Sequence, residues 1–154
     1  MGSGLLLSSL LPARFAGAAE QELAVIVHPS NSIRLTLAEL AGIFKSTTRY
    51  WSGDRRIVAF NLPANSDGRA LFDREVLDLD PEASTRFWID RRIRGGEPPP
   101  RTVPEPALVL RLVQKLDTAI GYVPAELVSG VREVVRIRAG RASVSLDFAW
   151  SMLA

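Results

Sequence analysis

Arg56-Ile57-Val58-Ala59-Phe60-Asn61 is an apolar, β-branched run. It leaves through Leu62-Pro63-Ala64-Asn65-Ser66-Asp67-Gly68 and enters a segment with Leu71, Phe72 and Val76 at helical spacing. The run reads as a strand and the small polar residues as its exit loop. Ser66 or Asp67 caps a helix reaching about Leu77. A strand that passes through such a loop into a helix is the unit of an α/β layer.

The same alternation continues on both sides. Leu23-Ala24-Val25-Ile26-Val27-His28 is a continuous apolar run before Pro29, the pattern of a strand buried on both faces. Thr36-Leu37-Ala38-Glu39 is a capping box, and Leu37, Leu40, Ala41 and Phe44 follow as the apolar stripe of a short helix over about 36–45. Tyr50-Trp51-Ser52-Gly53-Asp54 is a turn whose aromatics are expected to pack beneath it. Asp80-Pro81 starts a helix to about Arg94, with Asp80 as N-cap and Glu82, Arg86 and Asp90 on its wet face. Gly95 to Arg101, with Pro98-Pro99-Pro100, forms a stiff loop. A helix from about Pro104 to Leu116 is expected to bury Leu108, Leu112 and Val113. Ala119-Ile120-Gly121-Tyr122-Val123 and Val131 to Arg138 are further strands. Ser143 to Met152 alternates polar and apolar residues, as an edge strand or a strand offered to a partner sheet does, with a short helix as the remaining reading.

Composition narrows the function. The chain has 154 residues, enough for one domain, and 47% are hydrophobic. There is no cysteine, which removes disulfides, thiol catalysis and cysteine metal sites. His28 is the only histidine, so a multi-histidine metal site within one chain is excluded and a hydrolytic triad would have to use it. It ends a buried strand, where a structural, hydrogen-bonded role fits. Net charge is +2, too small an excess to imply nucleic acid. The chain therefore reads as non-enzymatic, with no cofactor and no metal.

The N-terminus reads as a leader. Leu5 to Leu11 is apolar, and Ala16-Gly17-Ala18-Ala19 offers a cleavage site of small residues. Residues 1–18 are read as a signal peptide and 19–154 as one domain. The alternative is a hydrophobic N-terminal arm. The apolar run is too short to span a bilayer, which takes about 20 residues.

The candidate site is the helix start at Ser66, Asp67, Gly68 and Arg69. The first amides of a helix lack internal partners and the dipole is positive there, so the end suits phosphate or carboxylate. Ser66 brings a hydroxyl and Arg69 a planar cation suited to oxyanions. Asp67 opposes an anion. The plainer reading is an ordinary capped helix with Arg69 in solvent. Arg91, Arg92, Arg94 and Arg101 form a second cationic group, three of them at a helix C-terminus where the dipole favours them.

Several of these segments resemble one family. Val25-Ile26-Val27-His28-Pro29, Leu35-Thr36-Leu37-Ala38-Glu39-Leu40-Ala41-Gly42-Ile43-Phe44-Lys45, Tyr50-Trp51 and Ala119-Ile120-Gly121-Tyr122-Val123 resemble, in order, motifs of the phosphate-type substrate-binding proteins of ABC transporters. The resemblance runs over about residues 23–138. It implies a type 2 periplasmic-binding fold, a mixed sheet flanked by helices, a periplasmic location and capture of an oxyanion such as phosphate. It also implies a transporter protein as partner; departures from the family pattern at Leu62 and Asp67 and the alternating C-terminal segment point instead to an envelope protein partner. The family's ligand loop, R-x-x-G-S-G-T followed by R, places its Ser on Ser66 and its trailing Arg on Arg69. Its leading Arg falls on Leu62, its glycines on Asn65 and Asp67, and its Thr on Gly68. The chain is long enough for one of the family's two lobes. Two readings stay open: a single-lobe solute-binding protein with weak oxyanion binding, and an envelope interaction module that keeps the fold and has lost the ligand.

Overall fold

The computed structural model describes residues 21–144. The segment 1–18, read above as a leader, and the alternating segment beyond Val144 lie outside the described residues. Among the described residues, eight strands and four α-helices run in the order β1 (Leu23–Val27), α1 (Leu37–Phe44), β2 (Tyr50–Trp51), β3 (Arg55–Arg56), β4 (Val58–Asn61), α2 (Asp67–Leu77), α3 (Pro81–Ile93), β5 (Arg101–Thr102), α4 (Pro106–Lys115), β6 (Ala119–Pro124), β7 (Arg132–Arg138) and β8 (Arg141–Val144). A short 3₁₀ turn, Ala125–Leu127, separates β6 from β7.

Six strands form one mixed sheet in the order β5-β4-β6-β1-β7-β8. β4 is parallel to both β5 and β6, while β1 runs antiparallel to β6 and β7. β1 is central and all five of its residues are buried, as its unbroken apolar run requires. β2 and β3 form a separate hairpin. The expected α/β class and mixed sheet are thus observed.

Strand alternation distributes the helices. Gly121 and Tyr122 are consecutive on β6, so they point to opposite faces. A Cβ built on Gly121 would stand 2.5 Å from Val109 Cγ1, so α4 closes directly onto the strand backbone there. On the other face, the Tyr122 ring stacks on Phe72 of α2 at 3.9 Å and meets Phe44 of α1 edge-on at 5.7 Å. α4 therefore covers one face of the sheet and α1 and α2 the other.

Local chemistry sets the helix ends. The capping box at α1 is complete: Glu39 N–H donates to Thr36 Oγ1 at 3.1 Å and Thr36 N–H to the Glu39 carboxylate at 2.7 Å. Those bonds to Thr36 hold the Glu39 carboxyl below its ordinary range. Asp80 caps α3 through Ala83 N–H at 2.8 Å. Three details differ from the sequence expectation. α4 buries Val109 and Val113 while Leu108 and Leu112 are half-buried, because Gly121 opens its recess opposite Val109. Trp51 is buried and donates its Nε1–H to Thr118 O at 2.9 Å, but Tyr50 is 48% exposed on the hairpin's other face. Arg91 is not part of a free cationic group; its guanidinium donates to Lys45 O and to Ser46 O at the end of α1.

A buried polar network ties α2 to its neighbours. Arg69 Nε donates to both Asp73 carboxylate oxygens at 3.0 and 2.9 Å, and Ser84 Oγ donates to Asp73 Oδ2 at 2.9 Å. Ser84 is the one buried residue of α3, so this bond fixes where α3 sits. Burial pushes the Asp73 carboxyl up, against the pull of Arg69 and the Ser84 hydroxyl.

Two predictions follow from this packing. Gly121→Ala forces α4 off β6, at a cost of about 1–3 kcal/mol for overpacking; it lowers the urea midpoint with little change in slope. Asp73→Ala strands the Arg69 charge and costs about 3–5 kcal/mol. The double variant Arg69→Met/Asp73→Leu, which removes both charges, is expected to melt closer to the parent than Asp73→Ala does.

Candidate functional site

The start of α2 lies at the carboxyl end of β4. Tyr122 crosses from β6 to hold the connection: its hydroxyl donates to Asn61 Oδ1 at 3.1 Å and accepts from Leu62 N–H at 3.2 Å. Burial keeps the phenol well above its ordinary range, so the hydroxyl remains a neutral donor. Arg69 Nη1 donates to Leu62 O at 3.2 Å. Both backbone groups of Leu62 are therefore bonded to side chains, and the loop has one position. Leu62, where the resembling family carries an arginine, is buried with its Cδ1 only 3.1 Å from where a Gly68 Cβ would be.

Each expected site residue has a distinct place. Ser66 is the N-cap of α2: its Oγ accepts from Arg69 N–H at 3.2 Å and donates to Pro63 O at 2.6 Å. Its hydroxyl is committed to the turn. Asp67 is exposed at the first helical position, and Gly68 is buried against Leu62 and Leu23. The amides of Asp67 and Gly68 have no acceptor among the described residues, as the first amides of a helix do not. Arg69 is 7% exposed and turned inward onto Asp73 and Leu62 O. The structure thus brings Ser66, Asp67 and Gly68 together at the helix start and places the Arg69 guanidinium beneath it. Neither the expectation of Arg69 in solvent nor that of Arg69 as a direct clamp describes this conformation. The pairing has a sequence signal, since Arg69 and Asp73 are four residues apart in a helix.

One charged residue beside the helix start, Arg74, was not anticipated. A depression of about 230 Å³ is lined by Gln21, Asp67, Ala70, Leu71, Arg74 and Ala139. Asp67, Ala70, Leu71 and Arg74 follow the i, i+3, i+4, i+7 spacing of one helix face. Arg74 is largely exposed, with only a 3.5 Å contact to Glu75, and is the cation of this hollow. Glu22, at the start of the described chain, accepts from Arg136 at 2.9 Å and Arg138 at 2.8 Å of β7. His28 stands elsewhere, with its Nδ1 2.7 Å from Ser30 Oγ and accepting from Ser30 N–H at 3.1 Å. Among the described residues no group of three or more metal-ligating side chains gathers, and no helix is long and apolar enough to cross a membrane.

Comparison with known proteins gives the fold its context. No family model and no curated protein sequence matches the chain. Solved structures do. An ABC-type phosphate transport receptor from Vibrio cholerae superposes with a TM-score of 0.56 at 23% identity, over 73% of this chain and 45% of the receptor. A Clostridium perfringens protein described as a phosphate ABC transporter substrate-binding protein, solved with bound phosphate, gives 0.58 at 21% identity, over 73% of this chain and 44% of that one. PstS from Borrelia burgdorferi gives 0.53 at 18%, over 69% and 42%. This chain spans less than half the length of these proteins, and over that span it has the fold of phosphate ABC transporter substrate-binding proteins.

Proposed function

We propose that the protein is a periplasmic, non-enzymatic solute-binding lobe that holds an inorganic oxyanion, phosphate foremost, weakly at the start of α2. The observation that carries this reading is a helix N-terminus whose first two amides have no acceptor among the described residues, on a loop held from both sides, in a fold similar to a substrate-binding protein solved with phosphate. The amides of Asp67 and Gly68 donate to the anion. Ser66 shapes the turn that presents them, and Arg69, its charge paired with Asp73, positions the same turn through Leu62 O. The leader over residues 1–18 exports the chain, and 19–154 is the mature domain.

Weak binding follows from the geometry. The site is a helix end beside an open depression, where water competes for each hydrogen bond and salt screens the charge. Asp67 adds a carboxylate at the position where an anion would benefit from the dipole. A covering wall from another chain, such as a transporter or envelope partner, would raise affinity by excluding water.

The test is calorimetric titration with phosphate at low salt, with sulfate as the competing oxyanion. Saturable heat in the millimolar range is expected. Asp67→Asn is exposed and leaves the fold intact; it removes one like charge, a change of about 1 kcal/mol, and tightens phosphate about fivefold. No saturable heat in either protein, with the far-ultraviolet spectrum unchanged, removes the helix start as an anion site.

A further inference from the structure

The triple proline Pro98–Pro100 stands between two hollows near the amino end of β4, away from α2's start. One is a cleft of about 450 Å³ walled by these prolines and by Arg49, Arg56 and Arg101, with Glu97 as the one carboxylate among its lining residues. Glu97 pairs with Arg49 at 2.5 Å and with Arg56 at 3.7 Å. Both guanidiniums also flank the exposed Tyr50 ring, at 5.9 and 6.0 Å from its centre. Arg101 has no acidic partner among the described residues. Three fixed cations against one carboxylate leave a net excess of positive charge in a concave space.

The second hollow, about 390 Å³, is lined by Trp88, Ile89, Arg92 and Gly96 to Pro99. It is mainly apolar. Ile89 is 53% exposed and Ile93, one turn on, is 79% exposed. Trp88 Nε1–H is buried with no acceptor among the described residues. α3 therefore turns an apolar ridge outward where an ordinary surface helix is polar. Glu97, Pro98 and Pro99 line both hollows, so the two form one surface astride the proline ridge.

We infer that this surface docks an acidic segment of a partner protein. The segment sets an apolar side chain against Trp88 and Ile89 and its carboxylates against Arg49, Arg56 and Arg101. Charge complementarity selects the acid, because guanidinium forks pair carboxylates in bidentate fashion. Concavity on both sides of a ridge fits a chain laid across it, whereas a flat bilayer would touch only the crest. Prolines hold the ridge in one conformation before binding, so little order has to be imposed on it.

The probe is a fluorescein-labelled peptide with two central leucines flanked by glutamates, followed by anisotropy on the full chain. Saturable binding that weakens as salt rises is expected. Arg101→Glu and Ile89→Asp, both at exposed positions, are each expected to weaken it by about tenfold, the loss of one charge-assisted or anchoring contact. Circular dichroism confirms that the variants stay folded. The proposal is overturned by absence of saturable binding, by equal binding of the all-glutamine peptide, by indifference to both substitutions, or by binding to phosphatidylglycerol vesicles without binding to the peptide.

Discussion

Gly121 and Tyr122 stand back to back on β6, and the rest of the structure is arranged around that pair. The missing Cβ of Gly121 lets Val109 of α4 approach the sheet more closely than any side chain would permit. Tyr122, facing the other way, fills the space between Phe44 and Phe72 and extends its hydroxyl to Asn61 and Leu62. One strand thereby packs helices on two faces and fixes the loop that begins α2. The aromatic contacts are apolar and the hydroxyl is fully bonded, so the cost of burying a polar tip is offset by two hydrogen bonds.

The second constraint is the Arg69–Asp73–Ser84 network. A buried charge is tolerated only when paired and hydrogen-bonded. Here the pair is also the joint between three elements, since Arg69 reaches Leu62 O at the end of β4 and Ser84 reaches Asp73 from α3. Leu62 fits this arrangement better than a cation would. An arginine there would bring a second guanidinium beside Arg69 in a site with one carboxylate. The departure from the resembling family's loop is thus accompanied by a local structure that is internally satisfied. What the helix start offers a ligand is therefore mainly backbone.

Most of the fold was legible because its signals are local. The unbroken run at Leu23–Val27, the capping box at Thr36 and Glu39, and Asp80-Pro81 each specify their element without help from distant residues. Misses occur where tertiary context decides. The two-residue β5 has no periodicity to read, and exists because Val103 N–H finds Asn61 O at 2.8 Å. The inward face of α4 is set by the recess at Gly121, far along the chain. Tyr50 and Trp51 divide between surface and core because consecutive strand residues face opposite ways. At the site, the N-cap role of Ser66 was readable, but the direction of Arg69 depends on a choice between ligand, solvent and Asp73 that spacing alone leaves open. Arg74 escaped notice because the hollow beside it needs Gln21 and Ala139, which only folding brings to α2.

The helix start and the proline ridge are related through β4. α2 departs from the strand's carboxyl end, while the cationic cleft is lined by Ile57, Val58 and Ala59 at its amino end and by the residues that lead into the parallel β5. β4 has four residues, a length of about 13 Å at the usual rise of a strand. The two surfaces are thus near enough to share a rigid strand and far enough apart not to compete for space. A partner on the ridge leaves the helix start open to an anion or to a covering chain. At ordinary ionic strength the separation exceeds the screening length of about 8–10 Å, so charge on one surface is only weakly felt at the other. Any coupling between them has to travel through packing. The path available is short: Phe60 lies under α4 beside Gly121, and its neighbour Asn61 holds the Tyr122 hydroxyl.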